Sequence, residues 1–147
     1  MVVSPERLKK YILEYLENNR LMTLATSEKD VPWAATVFFA YDPNLNIYFI
    51  SRPETRKTQH IISNPNVSVV VNQYQPKKGT VKGLQIEGEA YILDKEKDKE
   101  KLELYKERYD WADEYLHNHE LYKIIPKKIY YLDDELFGPG GREELEL

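Results

Sequence analysis

The residues best suited to chemistry in this chain fall between Ile47 and Pro65. Ile47-Tyr48-Phe49-Ile50-Ser51 is β-branched and aromatic and reads as a strand. Pro53 ends it, and Thr55-Arg56-Lys57 opens a helical segment, Thr55–Ser63, that stops at Asn64-Pro65. A helix start presents unpaired backbone N–H groups that attract anions. The Thr55 hydroxyl and the Arg56 and Lys57 cations are placed to converge there on one phosphate. Two cations at the positive end of a helix dipole repel it unless an anion sits among them. The implied ligand is a phosphorylated small molecule.

The elements that must hold this segment are legible from period and punctuation. Ser4-Pro5 starts a helix, with Ser4 as cap and Pro5 at a position whose missing N–H costs nothing. Leu8, Tyr11, Ile12, Tyr15 and Leu16 keep helical spacing until Asn18-Asn19. The period then changes to two. Strands are expected over Leu21–Thr26, Pro32–Tyr41, Ile47–Ser51, Val67–Asn72, Gly83–Leu93 and Lys127–Leu132, the last of them after Pro126. Gly83–Leu93 alternates most cleanly, with Leu84, Ile86, Gly88, Ala90 and Ile92 on one side and Gln85, Glu87, Glu89 and Tyr91 on the other. Asp94–Glu120 is heavily charged but keeps Leu102, Tyr105, Tyr109 and Ala112 as a helical stripe. Six strands joined mostly by short turns, with helical attachments, predict a mainly β fold: a small antiparallel barrel. The 147 residues form one expected domain, with an N-terminal helix over 4–19, a barrel over 20–132 and a tail over 133–147.

Composition narrows the function. With no cysteine, thiolate metal sites, iron–sulfur clusters, disulfides and cysteine nucleophiles are excluded. Lys and Arg number 21 against 25 acidic residues, and the exposed face of the fifth expected strand carries Glu87 and Glu89, which argues against nucleic acid as a partner. The N-terminus shows no apolar signal core and no run is long enough for a membrane helix, so a cytoplasmic protein is expected. His60, His117 and His119 do not make a metal motif: two histidines at i and i+2 share no helix face, and the third lies far off in sequence. The Gly138-Pro139-Gly140-Gly141 run lacks the Lys-Ser/Thr ending of a phosphate loop and reads as a turn. No nucleophile elbow or acid–base pair stands out, so no catalytic residue is assigned.

Ala40-Tyr41-Asp42, Tyr48-Phe49-Ile50-Ser51, Thr55-Arg56-Lys57, Asn64-Pro65-Asn66-Val67-Ser68 and Gly83-Leu84-Gln85-Ile86-Glu87-Gly88-Glu89-Ala90 follow a familiar order. This set resembles the pyridoxamine 5′-phosphate oxidase-like proteins, which are FMN-binding split barrels; the likeness covers residues 20–93. It implies a six-stranded split barrel and a homodimer with FMN at the subunit interface. By the same resemblance, Arg56 and Lys57 hold the flavin phosphate with Ser51 and Thr55 as hydroxyl donors. Ala35, Thr36, Val37 and Ile50 line the ring and ribityl chain, and Gln85 adds a further contact. The chain also departs from the oxidase. Ala34 stands where the oxidase has a phosphate-binding arginine, and Phe39 where it has the lysine that grips the substrate's phosphate. The C-terminal tryptophan-and-arginine pattern is missing. The resemblance therefore implies a kept flavin site, a replaced substrate site and an unidentified small-molecule substrate. A binding or storage module for FMN, a deazaflavin or haem is the alternative; a deazaflavin's longer charged tail would call on the basic loop at Lys77, Lys78 and Lys82.

Overall fold

The computed structural model describes residues 3–74 and 77–147. Residues 75–76 of the expected basic loop, and Met1-Val2 of the N-terminus, lie outside the described residues. The element order is α1 (Pro5–Glu17), β1 (Leu21–Glu28), β2 (Val31–Phe38), β3 (Ala40–Tyr41), β4 (Ile47–Ser51), α2 (Arg56–Ser63), β5 (Asn66–Asn72), β6 (Lys82–Leu93), α3 (Lys99–Arg108), a 3-10 turn (Ala112–Glu114), β7 (Glu120–Asp133), α4 (Asp134–Phe137) and β8 (Arg142–Glu146). The strands form one antiparallel sheet in the order β2-β1-β5-β6-β7-β4-β3, with β8 added on β7. It is the expected mainly β, split-barrel type of sheet, but with eight strands among the described residues where six were expected.

The two extra strands have simple causes. The stretch expected as one strand, Pro32–Tyr41, is cut at Phe39, where Phe39 and Ala40 are both buried and the alternation fails. From there the chain crosses from one end of the sheet to the other, so Ala40–Tyr41 pairs with Ile47 and Tyr48 and not with β1. β8 carries four charged residues and buries Leu145 alone, so it has no apolar alternation to announce it.

The last expected strand begins earlier than Lys127, because Pro126 lies inside β7 and does not precede it. Pro126 is tolerated at a bulge: Glu87 pairs with Lys128 but Gly88 pairs with Pro126, leaving Lys127 as the extra residue. Gly88 is required there, since a Cβ would lie 2.6 Å from the Ile125 carbonyl oxygen. Gly88→Ala is expected to destabilise the fold by about 1–3 kcal/mol in urea unfolding, the usual cost of overpacking against backbone. Wild-type stability in that variant would remove the bulge from this account of β7.

Local chemistry fixes the remaining ends. Ser4 accepts a hydrogen bond from the Arg7 N–H at 3.2 Å, and α1 buries Leu8, Ile12, Tyr15 and Leu16. Lys29 and Asp30, with φ of 50° and 66°, make the two-residue turn that joins β1 to β2. The buried Asp42 carboxylate takes the backbone N–H groups of Asn44 and Asn46 and the Tyr48 hydroxyl, fixing the β3–β4 turn.

The main core gathers α1, β1, β5, β6 and β7 side chains. A second, smaller core under α3 contains Ala40, Tyr48, Ile50, Tyr105, Tyr109, Ala112 and Leu121. β4 lies between the two, which is why all five of its residues are buried and its sequence is apolar almost throughout.

Candidate functional site

β2, at one end of the sheet, approaches β4, next to the last strand at the other end, and a cleft of about 530 Å³ opens along this seam. Thr36, Val37 and Phe38 of β2 form one side. Ile50 and Ser51 of β4, with Arg52, Thr55 and Lys57 at the start of α2, form another. Tyr105 of α3 and Trp111, Tyr115 and His119 from the connection to β7 complete the lining. No lining residue is an aspartate or glutamate.

A chain of hydroxyls secures the α2 wall. Ser51 Oγ lies 3.3 Å from Thr55 Oγ1, which lies 3.1 Å from Thr58 Oγ1, which lies 2.5 Å from the Tyr122 hydroxyl. The Tyr122 ring in turn stacks on Phe49 at 4.6 Å and 4°. Thr55 also donates to the Arg52 carbonyl, closing the turn after β4. Lys57 is half-buried, and its pKa is pushed below the ordinary lysine value by burial and then by the nearby Arg52 charge.

The opposite wall hangs on Arg108 and Tyr109. The Arg108 guanidinium donates to the Leu16, Glu17 and Asn19 carbonyls at the end of α1 and lies over the Phe39, Tyr41 and Tyr109 rings. The Tyr109 hydroxyl donates to the Phe39 and Arg20 carbonyls. From this anchor Trp111 packs edge-on against Phe38 at 5.1 Å and against Tyr115 at 5.7 Å.

Of the residues expected to bind a cofactor, Thr36, Val37, Ile50, Ser51, Thr55 and Lys57 line this cleft together. Ala35, Arg56 and Gln85 do not. Arg56 turns the other way: its guanidinium sits 4.3 Å from the centre of the Trp33 ring, beside Glu28 and His60. The structure therefore does not bring Arg56 and Lys57 together in this cleft; Arg52 stands there with Lys57 instead. Successive residues on a helix point about 100° apart, which separates Arg56 from Lys57. Gln85 lies mid-sheet on β6, accepting from Arg142 at 2.8 Å. Lys77, Lys78 and Lys82 are also outside the lining. His60 is buried, with Nδ1 3.0 Å from Thr26 Oγ1.

Trp111, Tyr115 and His119 are lining residues the sequence did not disclose. They lie in a connection without a repeating apolar period, and the one available signal is the density of aromatic residues between Tyr105 and Tyr115.

Residues 8–133 match the model of the pyridoxamine 5′-phosphate oxidase family. This chain belongs to that family. The chain is similar to the UPF0306 protein of Klebsiella pneumoniae, 25% identical over 83% of this chain and 82% of the relative. It is also similar to the crystal structure of general stress protein 26 from Bacillus anthracis, with 25% identity, a TM-score of 0.70, and 96% and 99% of the two chains covered. Two further structures share the fold at lower identity. A FAD-binding protein from Mesorhizobium loti is 20% identical with a TM-score of 0.69, covering 82% of this chain and 88% of that one. A heme binding protein from Mycobacterium smegmatis is 12% identical with a TM-score of 0.78, covering 99% and 59%. Among the described residues no helix is long and apolar enough to cross a membrane.

Proposed function

We propose that this protein is an FMN-binding flavoprotein of the pyridoxamine 5′-phosphate oxidase family, working as a cytoplasmic oxidoreductase on a small molecule. One observation carries the reading: a cleft free of carboxylates sets two hydroxyls and two cations beside an apolar and aromatic wall. Its volume falls within the roughly 300–1,000 Å³ typical of cofactor sites. The donor set fits the group. Ser51, Thr55, Arg52 and Lys57 suit a phosphate, and Val37, Phe38, Ile50, Trp111 and Tyr115 suit a flat ring.

Bound FMN supplies the redox chemistry at its ring. The residues of this chain do the rest. Arg52 and Lys57 would hold the phosphate beside Ser51 and Thr55, β2 and Ile50 would orient the ring, and Tyr105 and Trp111 would cover one side of it. No side chain in the lining is assigned as a general acid or base.

A homodimer is part of the proposal. The outward row Thr36, Thr23, Val70 and Gln85 crosses β2, β1, β5 and β6 in register. Leu21, Phe38, Ala25 and Ala34 share that face, and Leu21, Phe38 and Val70 are each exposed by more than 40%. Small and apolar residues on a flat sheet face suit a second copy of the chain. Gln85 stands on the surface that such a copy would cover.

Titrating the purified apo-protein with FMN tests the reading. Saturable quenching of flavin fluorescence at one FMN per chain is expected, and an unchanged flavin spectrum rejects it. Anaerobic bleaching by NADH or NADPH then separates an oxidoreductase from the alternative, a flavin carrier.

A further inference from the structure

His119 is held more firmly than an exposed loop histidine needs to be. The Lys95 ammonium donates to the His119 and Leu116 carbonyls, each at 2.8 Å, and pins the backbone. Asn118 Oδ1 lies 2.6 Å from Nδ1, and the Tyr115 ring meets the imidazole edge-on at 5.5 Å. With Nδ1 donating to Asn118, Nε2 is left as the proton-accepting nitrogen. The ring enters a cleft that already holds Arg52 and Lys57 and whose lining has no carboxylate.

We propose that His119 is a third, proton-dependent cation of this cleft, so that a phosphate group binds there together with uptake of a proton at His119. This rests on the reading of the cleft as a phosphate site. Without an anion, burial disfavours the imidazolium, and a hydrogen bond with the Tyr115 backbone partly offsets this. The Arg52, His117 and Lys57 charges add to the burial effect, so the His119 pKa lies below the ordinary histidine value. A phosphate beside Arg52 and Lys57 offsets their charges and gives the imidazolium an anionic partner. The carboxylates nearby are otherwise engaged or outside the lining. Glu54 pairs with Arg52 at 3.8 Å, Asp113 pairs with Lys106 at 3.2 Å, and Glu120 follows His119 on β7 opposite Ser51. Glu114, on the 3-10 turn, is exposed. An anion in the cleft raises the pKa of His119, and by linkage phosphate affinity rises as pH falls through that raised value.

The direct probe is inorganic phosphate with the whole protein, following imidazole C2–H resonances by NMR; His119→Gln identifies the His119 signal by its loss. The expected result is a His119 midpoint below the ordinary histidine value, rising by about one pH unit in saturating phosphate. A His119 midpoint unmoved by 100 mM phosphate overturns the proposal, whether or not FMN binds. FMN affinity measured from pH 5 to 8 gives the second arm. Relative to His119→Gln, wild type should gain up to about tenfold per pH unit between the two midpoints, and riboflavin should gain nothing. Parallel pH profiles for wild type and variant also overturn it. Failure of FMN to bind, with the phosphate-induced shift intact, rejects the flavin assignment and leaves His119 as a phosphate-linked group.

Discussion

Lys57→Ala is expected to weaken FMN binding by more than tenfold, whereas Arg56→Ala leaves it within about twofold. Charge-assisted hydrogen bonds to a phosphate contribute about 1.5–3 kcal/mol each, and about 1.4 kcal/mol is a factor of ten in affinity. Lys57 lines the cleft and is half-buried there, so its loss removes such a bond. Arg56 is exposed and stacked on Trp33, on the far side of the helix start. Riboflavin has no phosphate and should bind both variants as it binds wild type. Isothermal titration of the two ligands against the two variants checks all four values. Equal losses for Lys57→Ala and Arg56→Ala would contradict the separation of these side chains, and an equal loss of riboflavin would contradict the phosphate role.

The largest effect on stability is expected at Tyr122, which joins the main core to the hydroxyl chain beneath the cleft. Tyr122→Ala should cost about 3–5 kcal/mol, because it removes a fully buried ring stacked on Phe49 and leaves a cavity. Tyr122→Phe keeps the ring and removes the hydroxyl that meets Thr58, costing about 1 kcal/mol. Urea unfolding of the two variants separates packing from hydrogen bonding. Near-equal destabilisation by both would mean that the hydroxyl, and not the stacked ring, dominates this position.

The fold was legible wherever one period prevailed. The α1 stripe from Leu8 to Leu16, the alternation in β6 as far as Ala90, and the Asn64-Pro65 helix stop all stand in the structure as their spacing predicts. Ile92, expected on the inner face, is exposed, since the pattern weakens towards the end of β6. Pro126 reads as a strand boundary from sequence because the bulge that accommodates it depends on Gly88, far away in the chain. Phe39 looks like a continuing strand residue because a chain crossing between sheet ends leaves no mark in local composition.

The site divides in the same way. Ser51, Thr55 and Lys57 belong to one short segment, so their types and order reveal them. Trp111, Tyr115 and His119 reach the cleft through Arg108 and Tyr109, which reach back across the molecule to the end of α1 and to Phe39. Such long-range tethers cannot be read from neighbours in sequence. The Arg56 direction, by contrast, follows from helix geometry alone.

The cleft lies where the two margins of a single curled sheet face each other without a ladder of backbone bonds between Phe38 and Ser51. Any molecule lodged there clasps strands that are remote along the hydrogen-bonded order. Occupancy would thus complete the cylinder much as a missing stave completes a cask, coupling ligand retention to the mechanical closure of the barrel.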